Sequence, residues 1–593
     1  MSLMQRITPE NPTSLQDWIA PEATGQNFYN IDRSLQDLLT LYLSSDLLAH
    51  LEPHYRKLGE ISGNRLDELS RLADRHPPQL HLRDRMGREQ DWLEFHPAYR
   101  EMEQIGYGDF GIHCMSRTPG AFGWDGKVPS LAKYAFQYLF TQSEFSLMCP
   151  ISATETSGML IDKFGSDELK QKLLPRMWTQ DMDTILKGAQ FMTEHSGGSD
   201  VSNISLEARF EDGEWRLYGE KFFCSCADGD VAMILARPAG AAHGNAGIAL
   251  FAMPRHLDDG SRNKYQIIRL KDKLGTRGMA SGEIKFSGAL AYPLGEVGSG
   301  TNQGLKQMLH QVNYSRLSHG VRVAGIMRRC LNESLMVAHN RQVGGEVLTQ
   351  KPLLRRQLMK MLVPTEEALS MMMFTGQQLE RSEAGDETAK KLTRILTPLL
   401  KFRTNRDCVA VATAAMETRG GCGYMEDWIN PKLVRDSLIG VLWEGTSNIN
   451  ALDVTTRAVA KAGAHVALRA EAQDLLDRSD ALPGQYRGEL GKVIDRAFDF
   501  ADEVGRTDNQ PLARAAADAL YHATAAAVMA WEGSETGKRG GDARRLLISR
   551  MIVNHRLNPT DPLHVPASED AAIAALLSGD PVTLDRAEEI LAG

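Results

Sequence analysis

The chain has 593 residues, which predicts three or four domains at about 150 residues per domain. Hydrophobic residues make up 42% and charged residues 24%, a balance typical of globular proteins that excludes collagen-like and disordered chains. The 67 basic and 76 acidic residues give a net charge of −9, so composition gives no global reason to bind nucleic acid or an anionic membrane.

Targeting and cysteine patterns favour a reduced, aqueous compartment. We find no apolar run of about 18 residues that would predict a membrane span, and the start of the chain lacks the apolar core of a secretory signal. The seven cysteines are scattered and contain no Cys-x-x-Cys, which is typical of reduced thiols. We therefore predict a cytoplasmic protein without membrane association and interpret Cys224 and Cys226 as core residues, not metal ligands.

The N-terminal part of the chain is predicted to be mostly helical. Leucines recur every three or four positions from Leu35 to Leu51, which is the spacing of a helix face. A stretch rich in proline and charge, residues 75–97, is predicted to be a loop. Helical patterning resumes over residues 130–176.

Short strands replace helices between residues 185 and 300. Segments 205–210 and 215–218 flank Asp212-Gly213, a tight-turn pair, and predict a β-hairpin. Further strand-like segments follow at regular spacing, at 231–235, 248–251, 265–268 and 284–286. This spacing predicts a compact β barrel or sandwich.

Long helices return after residue 302. The proline-free segment 303–341 predicts one long helix, and further helices are predicted over 352–381, 386–416 and 431–440. The helices containing Pro364 and Pro398 are expected to kink there. The predicted domains are therefore an N-terminal helical domain (1–184), a central β domain (185–300), a helical domain (301–462) and an additional C-terminal helical domain (463–593).

Two glycine-containing segments have the residue types of a ligand site. In 192–201, glycines let the backbone approach a planar or phosphorylated ligand, and Thr193 and Ser199 offer hydroxyl groups. In 417–424, a glycine-rich break between helices exposes amide donors suited to a pyrophosphate. Taken alone, the first segment is better explained as an ordinary loop and the second as a helix–helix turn.

The third segment, 442–450, places Glu444 in an apolar neighbourhood, followed by glycine and small polar residues. Apolar surroundings favour the base strength that proton abstraction near neutral pH requires. Taken alone, Glu444 is more often an acid in the first turn of a helix. Phosphate-loop, dinucleotide-binding, zinc-protease and serine-elbow motifs are not found in the sequence.

These three segments, in this order across an α–β–α chain, resemble the acyl-CoA dehydrogenase family of flavoproteins. The resemblance covers about residues 130–465, and 417–436 fits the second family signature at every specified position. Segment 192–200 fits the first signature with departures at Phe191 and at His195-Ser196. It implies a fold that is mainly α with a central β domain, an acyl-CoA dehydrogenase-like α–β–α architecture plus an extra C-terminal helical domain.

A narrower resemblance points to the AidB-like branch of that family. It rests on Pro77-Pro-Gln-Leu80, Phe95-His-Pro97, Leu147-Met-Cys-Pro-Ile151 and Leu270-Lys-Asp-Lys-Leu-Gly275. That branch carries an additional C-terminal helical domain, for which the length of this chain leaves room.

The resemblance implies oxidation of an acyl-CoA thioester to 2-enoyl-CoA. Glu444 would be the base that removes the α-proton, and hydride would pass to flavin N5. The backbone N–H of Glu444 would polarise the thioester carbonyl, since developing enolate charge needs donors. Gly445 would allow that close approach, and Arg316 and Ser199 would lie near the thioester. Without the resemblance, Arg316 is equally interpreted as a paired buried cation.

FAD is the implied cofactor. The residues that the resemblance assigns to it are Met192, Thr193, Ser199, Phe223, Cys224, Ser225, Arg341, Gly420, Gly421, Thr446 and Asn448. Arg341, Gly420 and Gly421 would reach the FAD pyrophosphate of a neighbouring subunit, which implies a homotetramer or at least a dimer. Gly344-Gly345 stands where the family often has Phe-Gly, so an aromatic contact to the adenine side is expected to be lost. Electron-transfer flavoprotein is the implied electron acceptor, in fatty acid metabolism.

Two alternatives stay open at this point. An AidB-like protein that binds duplex DNA predicts a basic C-terminal module, because phosphate contacts dominate such binding. Residues 451–593 contain 16 basic and 22 acidic residues, which argues against DNA binding, whereas Lys538-Arg539 and Arg544-Arg545 form a local basic patch in the sequence that keeps this alternative open. A catalytically silent scaffold is the other alternative, against which Glu444 argues.

Overall fold

The computed structural model describes residues 7, 18–298, 302–558 and 567–592, so the predicted polar start of the chain lies largely outside the described residues. The chain divides into two compact units. The helical unit comprises Met1–Arg65, Pro129–Ser143 and Arg316–Gly593, and the sheet unit comprises Leu66–Val128 and Glu144–Ser315. The C-terminal helices therefore belong to the same compact unit as the helices that follow residue 316.

The first half of the chain forms helices that precede and follow a small hairpin in the sequence. They are α1 (Arg33–Tyr42), α2 (Ser45–Gly63), α3 (Arg65–Arg75), α4 (Pro97–Glu103), α5 (Ser130–Thr141), α6 (Met148–Phe164) and α7 (Asp167–Met177). Asp32 and Ser44 begin α1 and α2 by accepting hydrogen bonds from backbone N–H groups, as residues at these positions commonly do. The predicted helical segment 130–176 is thus confirmed as three helices.

The loop predicted over residues 75–97 is wrong. It contains β1 (Gln79–Arg83) and β2 (Glu89–Glu94), an antiparallel pair that turns near Gly87, whose φ is 80°. The two prolines, Pro77 and Pro78, precede the first strand, where no ladder hydrogen bond is needed from them. Asp91 holds the hairpin by accepting bonds from Arg262 at 2.8 Å and from the Ile267 N–H at 2.9 Å.

The sheet unit is built on a central β domain. Its strands are β3 (Gly188–Phe191), β4 (Glu207–Glu211), β5 (Glu214–Ser225), β6 (Val231–Pro238), β7 (Ala249–Pro254), β8 (Tyr265–Leu270) and β9 (Ser281–Pro293). Strands β4, β6, β7, β9 and β5 pair in a closed cycle, which is the arrangement of a barrel. The predicted hairpin is confirmed as β4–β5, with Asp212 and Gly213 at φ 51° and 83°. Both turn residues therefore adopt the positive φ that a two-residue hairpin requires.

The second half of the chain forms long helices, as the pattern predicts. They are α8 (Gly304–Asn340), α9 (Pro352–Glu383), α10 (Glu387–Arg419), α11 (Asn430–Ile439), α12 (Ser447–Leu452), α13 (Ala464–Asp477), α14 (Gly484–Arg506), α15 (Ala513–Lys538), α16 (Arg544–Ile552), α17 (Ala567–Leu577) and α18 (Leu584–Ala592). Helices α9 and α10 run without a break through Pro364 and Pro398. A short β10–β11 hairpin (Gln342–Val343 and Glu346–Val347) follows α8.

A buried network of charges joins the C-terminal helices to the rest of the helical unit. Arg328 of α8 contacts Asp32 at 3.1 Å and Glu366 at 2.7 Å. Arg545 of α16 contacts Glu366 at 3.2 Å and Glu532 of α15 at 3.4 Å. These five side chains are at most 3% exposed, so each charge depends on its partners for solvation.

Candidate functional site

The backbone around Glu444 turns sharply between α11 and α12. Glu444 has a φ of 53° and Gly445 a φ of 91°, so two consecutive residues are left-handed. Glycine adopts this conformation freely, whereas for a residue with a Cβ it costs on the order of 1 kcal/mol. Neighbouring residues must therefore stabilise this strained turn. The side chain of Glu444 is partly exposed within the helical unit.

Two buried cations lie behind this turn. Arg316 of α8 is 7% exposed, and its Nε lies 3.4 Å from the carbonyl oxygen of Glu444. Lys401 of α10 is 1% exposed and donates from Nζ to the carbonyl oxygen of Gly445 at 2.5 Å. Arg316 also pairs with Asp453 at 2.5 Å, so it is both a paired buried cation and a neighbour of Glu444.

A neutral histidine completes the buried side of the turn. His319 of α8 is 2% exposed, and its ring centroid lies 4.7 Å from that of Trp443. Burial, together with the charges of Arg322, Lys401 and Arg316, places the pKa of His319 well below its ordinary value. The ring is therefore uncharged near neutral pH.

The residues at the start of α12 lie next to the Glu444 turn. Thr446 is the residue before the helix and makes no capping hydrogen bond with its side chain, and Asn448 is exposed. Asn450 is buried and donates to the Gly445 carbonyl oxygen at 2.7 Å. The helical unit thus brings Glu444, Gly445, Arg316, Thr446 and Asn448 into one neighbourhood.

Arg341, Gly420 and Gly421 form a second group in the helical unit. A Cβ added to Gly420 would lie 3.5 Å from Nη1 of Arg341, and one added to Gly421 would meet open space. Gly420 has a φ of 74°, which favours glycine. The Gly420 N–H donates to the Glu417 carbonyl, so the Arg341 guanidinium beside the exposed Gly421 backbone is what this group offers to an anionic ligand such as a pyrophosphate.

The position after Arg341 where an aromatic residue is expected to be lost lies in the turn of the β10–β11 hairpin. Gly344 and Gly345, at φ 64° and 80°, are the turn of the β10–β11 hairpin. Two consecutive positive φ values are characteristic of a two-residue turn that glycines favour. At these positions the chain therefore offers a tight turn without a side chain.

In the sheet unit, an aromatic face and hydroxyl groups lie where β3 and β5 approach each other. The Thr193 carbonyl accepts from the Phe222 N–H at 2.8 Å, and Met192 and Thr193 are partly exposed. Phe223 is 54% exposed and Ser225 is partly exposed, because alternate residues of β5 face outward. Such a surface suits a planar ring. Ser199 lies further along the loop and is exposed.

Cys224 faces the other way. It is fully buried in the β domain, and burial raises the pKa of its thiol. Only its backbone is therefore left to contact a ligand on the outer face. Cys226 is also buried, and no cluster of metal-ligating side chains occurs among the described residues.

The buried pair Glu194–Lys221 was not found by sequence reasoning. Lys221 is fully buried and lies 2.8 Å from Glu194, which also accepts from the Ser205 N–H at 2.6 Å. Burial opposes ionisation of Glu194, yet the Lys221 ammonium and the Ser205 donors hold its pKa below the ordinary value. The pair fastens the loop that carries Thr193 to β5. A lone acid before a glycine pair gives no sequence signal for this role.

Lys401 and His319 were also missed, although Lys401 had a signal. It lies within Leu399-Leu400-Lys401-Phe402, where its neighbours are core residues. A charged residue inside such an apolar run is unusual and is kept buried only with polar partners.

Models of known families match most of the chain between residues 19 and 459. The match is to the "Adaptive response protein AidB N-terminal domain" over residues 19–184, to the "Acyl-CoA dehydrogenase, middle domain" over 189–289 and to the "Acyl-CoA dehydrogenase, C-terminal domain" over 302–459. The AidB protein of Escherichia coli (strain K12) is 31% identical over 80% of this chain and 86% of its own length. The chain therefore belongs to the acyl-CoA dehydrogenase family, in its AidB-like branch.

Further relatives agree with this assignment. "Acyl-CoA dehydrogenase family member 11" of Caenorhabditis elegans is 29% identical over 73% of this chain and 70% of its own. The solved structure of C. elegans ACDH-11 in complex with C11-CoA superimposes with a TM-score of 0.82 at 24% identity, covering 96% of this chain and 98% of that one. The apo form of Bd2924 gives 0.77 at 28% identity, covering 86% and 99%. The fold is thus mainly α with a central β domain and a C-terminal helical domain, and no described helix is long and apolar enough to cross a membrane.

Proposed function

We propose that the protein binds FAD and dehydrogenates an acyl-CoA thioester between its α and β carbons, with Glu444 as the base. The observation that carries this proposal is the left-handed turn at Glu444, which is backed by the buried cations Arg316 and Lys401. A carboxylate on a strained, anchored turn is held in one orientation, as a general base requires. Family membership supports the same reaction.

The residues fit FAD in two separate places. In the sheet unit, the exposed ring of Phe223 and the Thr193 and Ser225 hydroxyls suit an isoalloxazine ring. In the helical unit, Arg341 beside Gly420 and Gly421 suits a pyrophosphate. Following the family, this second group would serve a neighbouring subunit of a homotetramer, since cofactor sites of that kind are completed across an interface.

The chain's own residues have defined roles in this reaction. Glu444 takes the α-proton onto its carboxylate, and its backbone N–H donates to the thioester carbonyl as negative charge develops. Gly445 keeps that approach open, and Arg316 holds the Glu444 carbonyl. FAD, when bound, would accept the β-hydrogen as hydride. Electron-transfer flavoprotein is the proposed electron acceptor. Turnover of an acyl-CoA with an artificial electron acceptor is the direct test of the dehydrogenation itself.

The acyl group is best identified with a panel of acyl-CoA thioesters of increasing chain length. The relative ACDH-11 has been solved with C11-CoA, so an eleven-carbon chain belongs in the panel beside short and branched ones. The highest kcat/KM identifies the preferred class. If no thioester is oxidised by flavin-loaded protein, the proposed reaction is wrong.

Replacing Arg341 by methionine is expected to weaken FAD binding by about 10- to 100-fold. The reason is the loss of a charge-assisted hydrogen bond to phosphate, worth about 1.5–3 kcal/mol. Retention of FAD on dialysis, measured by absorbance and flavin fluorescence, reports the change. Arg539→Met, at an exposed position after α15, is the matched control and should retain FAD as the unaltered protein does. Equal retention by both variants would place the pyrophosphate elsewhere.

Duplex DNA is not expected to bind. Arg544 and Arg545, half of the basic patch that the sequence suggested, are each 3% exposed and pair with Asp542 and with Glu366. They are therefore not available to phosphates, which supply most of the affinity for DNA. In an electrophoretic shift assay at about 0.1 M salt, we expect no retarded band at micromolar protein. A shift that weakens steeply with added salt would instead favour the DNA-associated function.

A further inference from the structure

The turn that carries Glu444 is held at two consecutive carbonyl groups. Arg316 approaches the Glu444 oxygen, and Lys401 reaches the Gly445 oxygen from α10, where Asn450 of α12 also donates to it. The Lys401 bond is the shorter of the two, at 2.5 Å against 3.4 Å. Arg316 also forms an ion pair with Asp453, so its charge is divided between the Asp453 carboxylate and the Glu444 carbonyl oxygen.

Lys401 has no comparable carboxylate partner among the described residues. The bond from its Nζ goes to a backbone carbonyl, although the side chain is 1% exposed. A buried ammonium without a paired carboxylate is costly, and an apolar side chain would fill the same space more favourably. The placement of a lysine here therefore calls for a role other than packing.

The charged and titratable groups facing Lys401 are Glu444 on the turn, and Arg316 and His319 on α8. Burial lowers the pKa of Lys401 to about 7, with Glu444 opposing the shift and Arg316 adding to it. His319 titrates well below neutral pH and stays uncharged while Lys401 titrates. Lys401 thus changes from a strong cationic donor to a weaker neutral donor close to neutral pH.

We propose that Lys401 is a positioning residue that holds the Gly445 carbonyl and thereby keeps the Glu444 backbone in its left-handed conformation. For catalysis the inference rests on the proposed role of Glu444 as the base, whereas the effect on the turn itself does not. No contact with substrate or cofactor is assigned to Lys401. It acts through the backbone that presents Glu444.

The first test needs neither cofactor nor substrate. Amide hydrogen exchange of the segment 441–452 is followed by mass spectrometry in Lys401→Met and in the matched control Lys391→Met, which alters an exposed lysine on the same helix. We expect at least 10-fold faster exchange in Lys401→Met and no change in the control. Lys401→Arg, which keeps a cationic donor, should restore part of the protection. Equal protection in all four proteins would overturn the proposal.

The unaltered protein provides a second test, which stands even if the methionine variant does not fold. Because the ammonium form donates the stronger hydrogen bond, protection of 441–452, corrected for intrinsic exchange, should fall as pH rises from about 6 to 8. A flat profile over that range would contradict the proposal. Peptides of the α14–α15 region serve as the internal reference.

Kinetics separate this inference from the proposed function. If the protein is a dehydrogenase, Lys401→Met should lower kcat by about 10- to 100-fold while KM and FAD content change little. If exchange in 441–452 responds as expected but the unaltered protein oxidises no acyl-CoA, the proposed function fails and the role of Lys401 in the turn stands. If the unaltered protein is active and Lys401→Met matches it in kcat, the role in catalysis is wrong.

Discussion

Glu444→Gln is expected to abolish acyl-CoA oxidation while leaving flavin bound. Glutamine has nearly the same shape and can keep the same backbone turn, but its amide cannot accept the α-proton. Loss of a positioned general base typically costs about 10²- to 10⁴-fold in rate. The measurement is turnover with an artificial electron acceptor, with FAD content and the flavin spectrum recorded on the same sample.

The control for this prediction is Glu387→Gln, which changes an exposed acid at the start of α10. It should leave both kcat and flavin content unchanged. If Glu444→Gln retained full activity, another group would have to be the base. If it lost its flavin, the role of the Glu444 turn would be in cofactor binding.

Arg545→Met is expected to lower the free energy of unfolding by about 3–5 kcal/mol, the usual result of breaking a buried ion pair. Arg545 lies between Glu366 and Glu532, both at most 1% exposed, and also donates to Ser370 at 2.5 Å. Removing its charge leaves two buried carboxylates with one cation fewer. Urea unfolding followed by circular dichroism measures the change.

Arg539→Met is again the matched control and should shift the unfolding free energy by less than about 0.5 kcal/mol, as surface substitutions do. A value for Arg545→Met within 1 kcal/mol of the unaltered protein would show that the network contributes little.

Lowering the pH should likewise weaken this buried charge network. Burial opposes ionisation of Glu366, yet Arg328 and Arg545 hold its pKa well below the ordinary value. Its contribution is therefore present at neutral pH and lost as pH falls through the acidic range.

The fold was largely predictable because its strongest signals are local. The proline-free run after residue 302 predicted α8 to within a residue at each end, and Asp212-Gly213 predicted the β4–β5 turn. The β1–β2 hairpin was missed because its stability comes from contacts distant in sequence. Asp91, for example, is held by Arg262 and by the backbone of β8. Proline and charge in that stretch gave the opposite signal.

The site was predictable only in part. Glycine-containing segments around Thr193, Gly420 and Glu444 could be found because glycine marks backbone that must bend or approach a ligand. His319 and the Glu194–Lys221 pair could not be assigned, because burial of such side chains depends on neighbours from other elements. The apolar run around Lys401 marked that residue as unusual but did not show its partner. The side on which Cys224 faces likewise required the register of β5, which the local alternation of residues leaves ambiguous.

The charge network has a consequence for how the chain is made on the ribosome. Asp32 emerges long before Arg328 and Glu366, and Arg545, which completes the set, comes near the end of synthesis. At roughly 5–20 residues per second, the N-terminal helices wait about half a minute to two minutes for their last partner. Until Arg328 has emerged, Asp32 lacks its cationic partner, and Tyr42 of α1 waits longer still for its acceptor Glu532 on α15. The nascent protein is therefore expected to depend on chaperones that shield its amino terminus during translation.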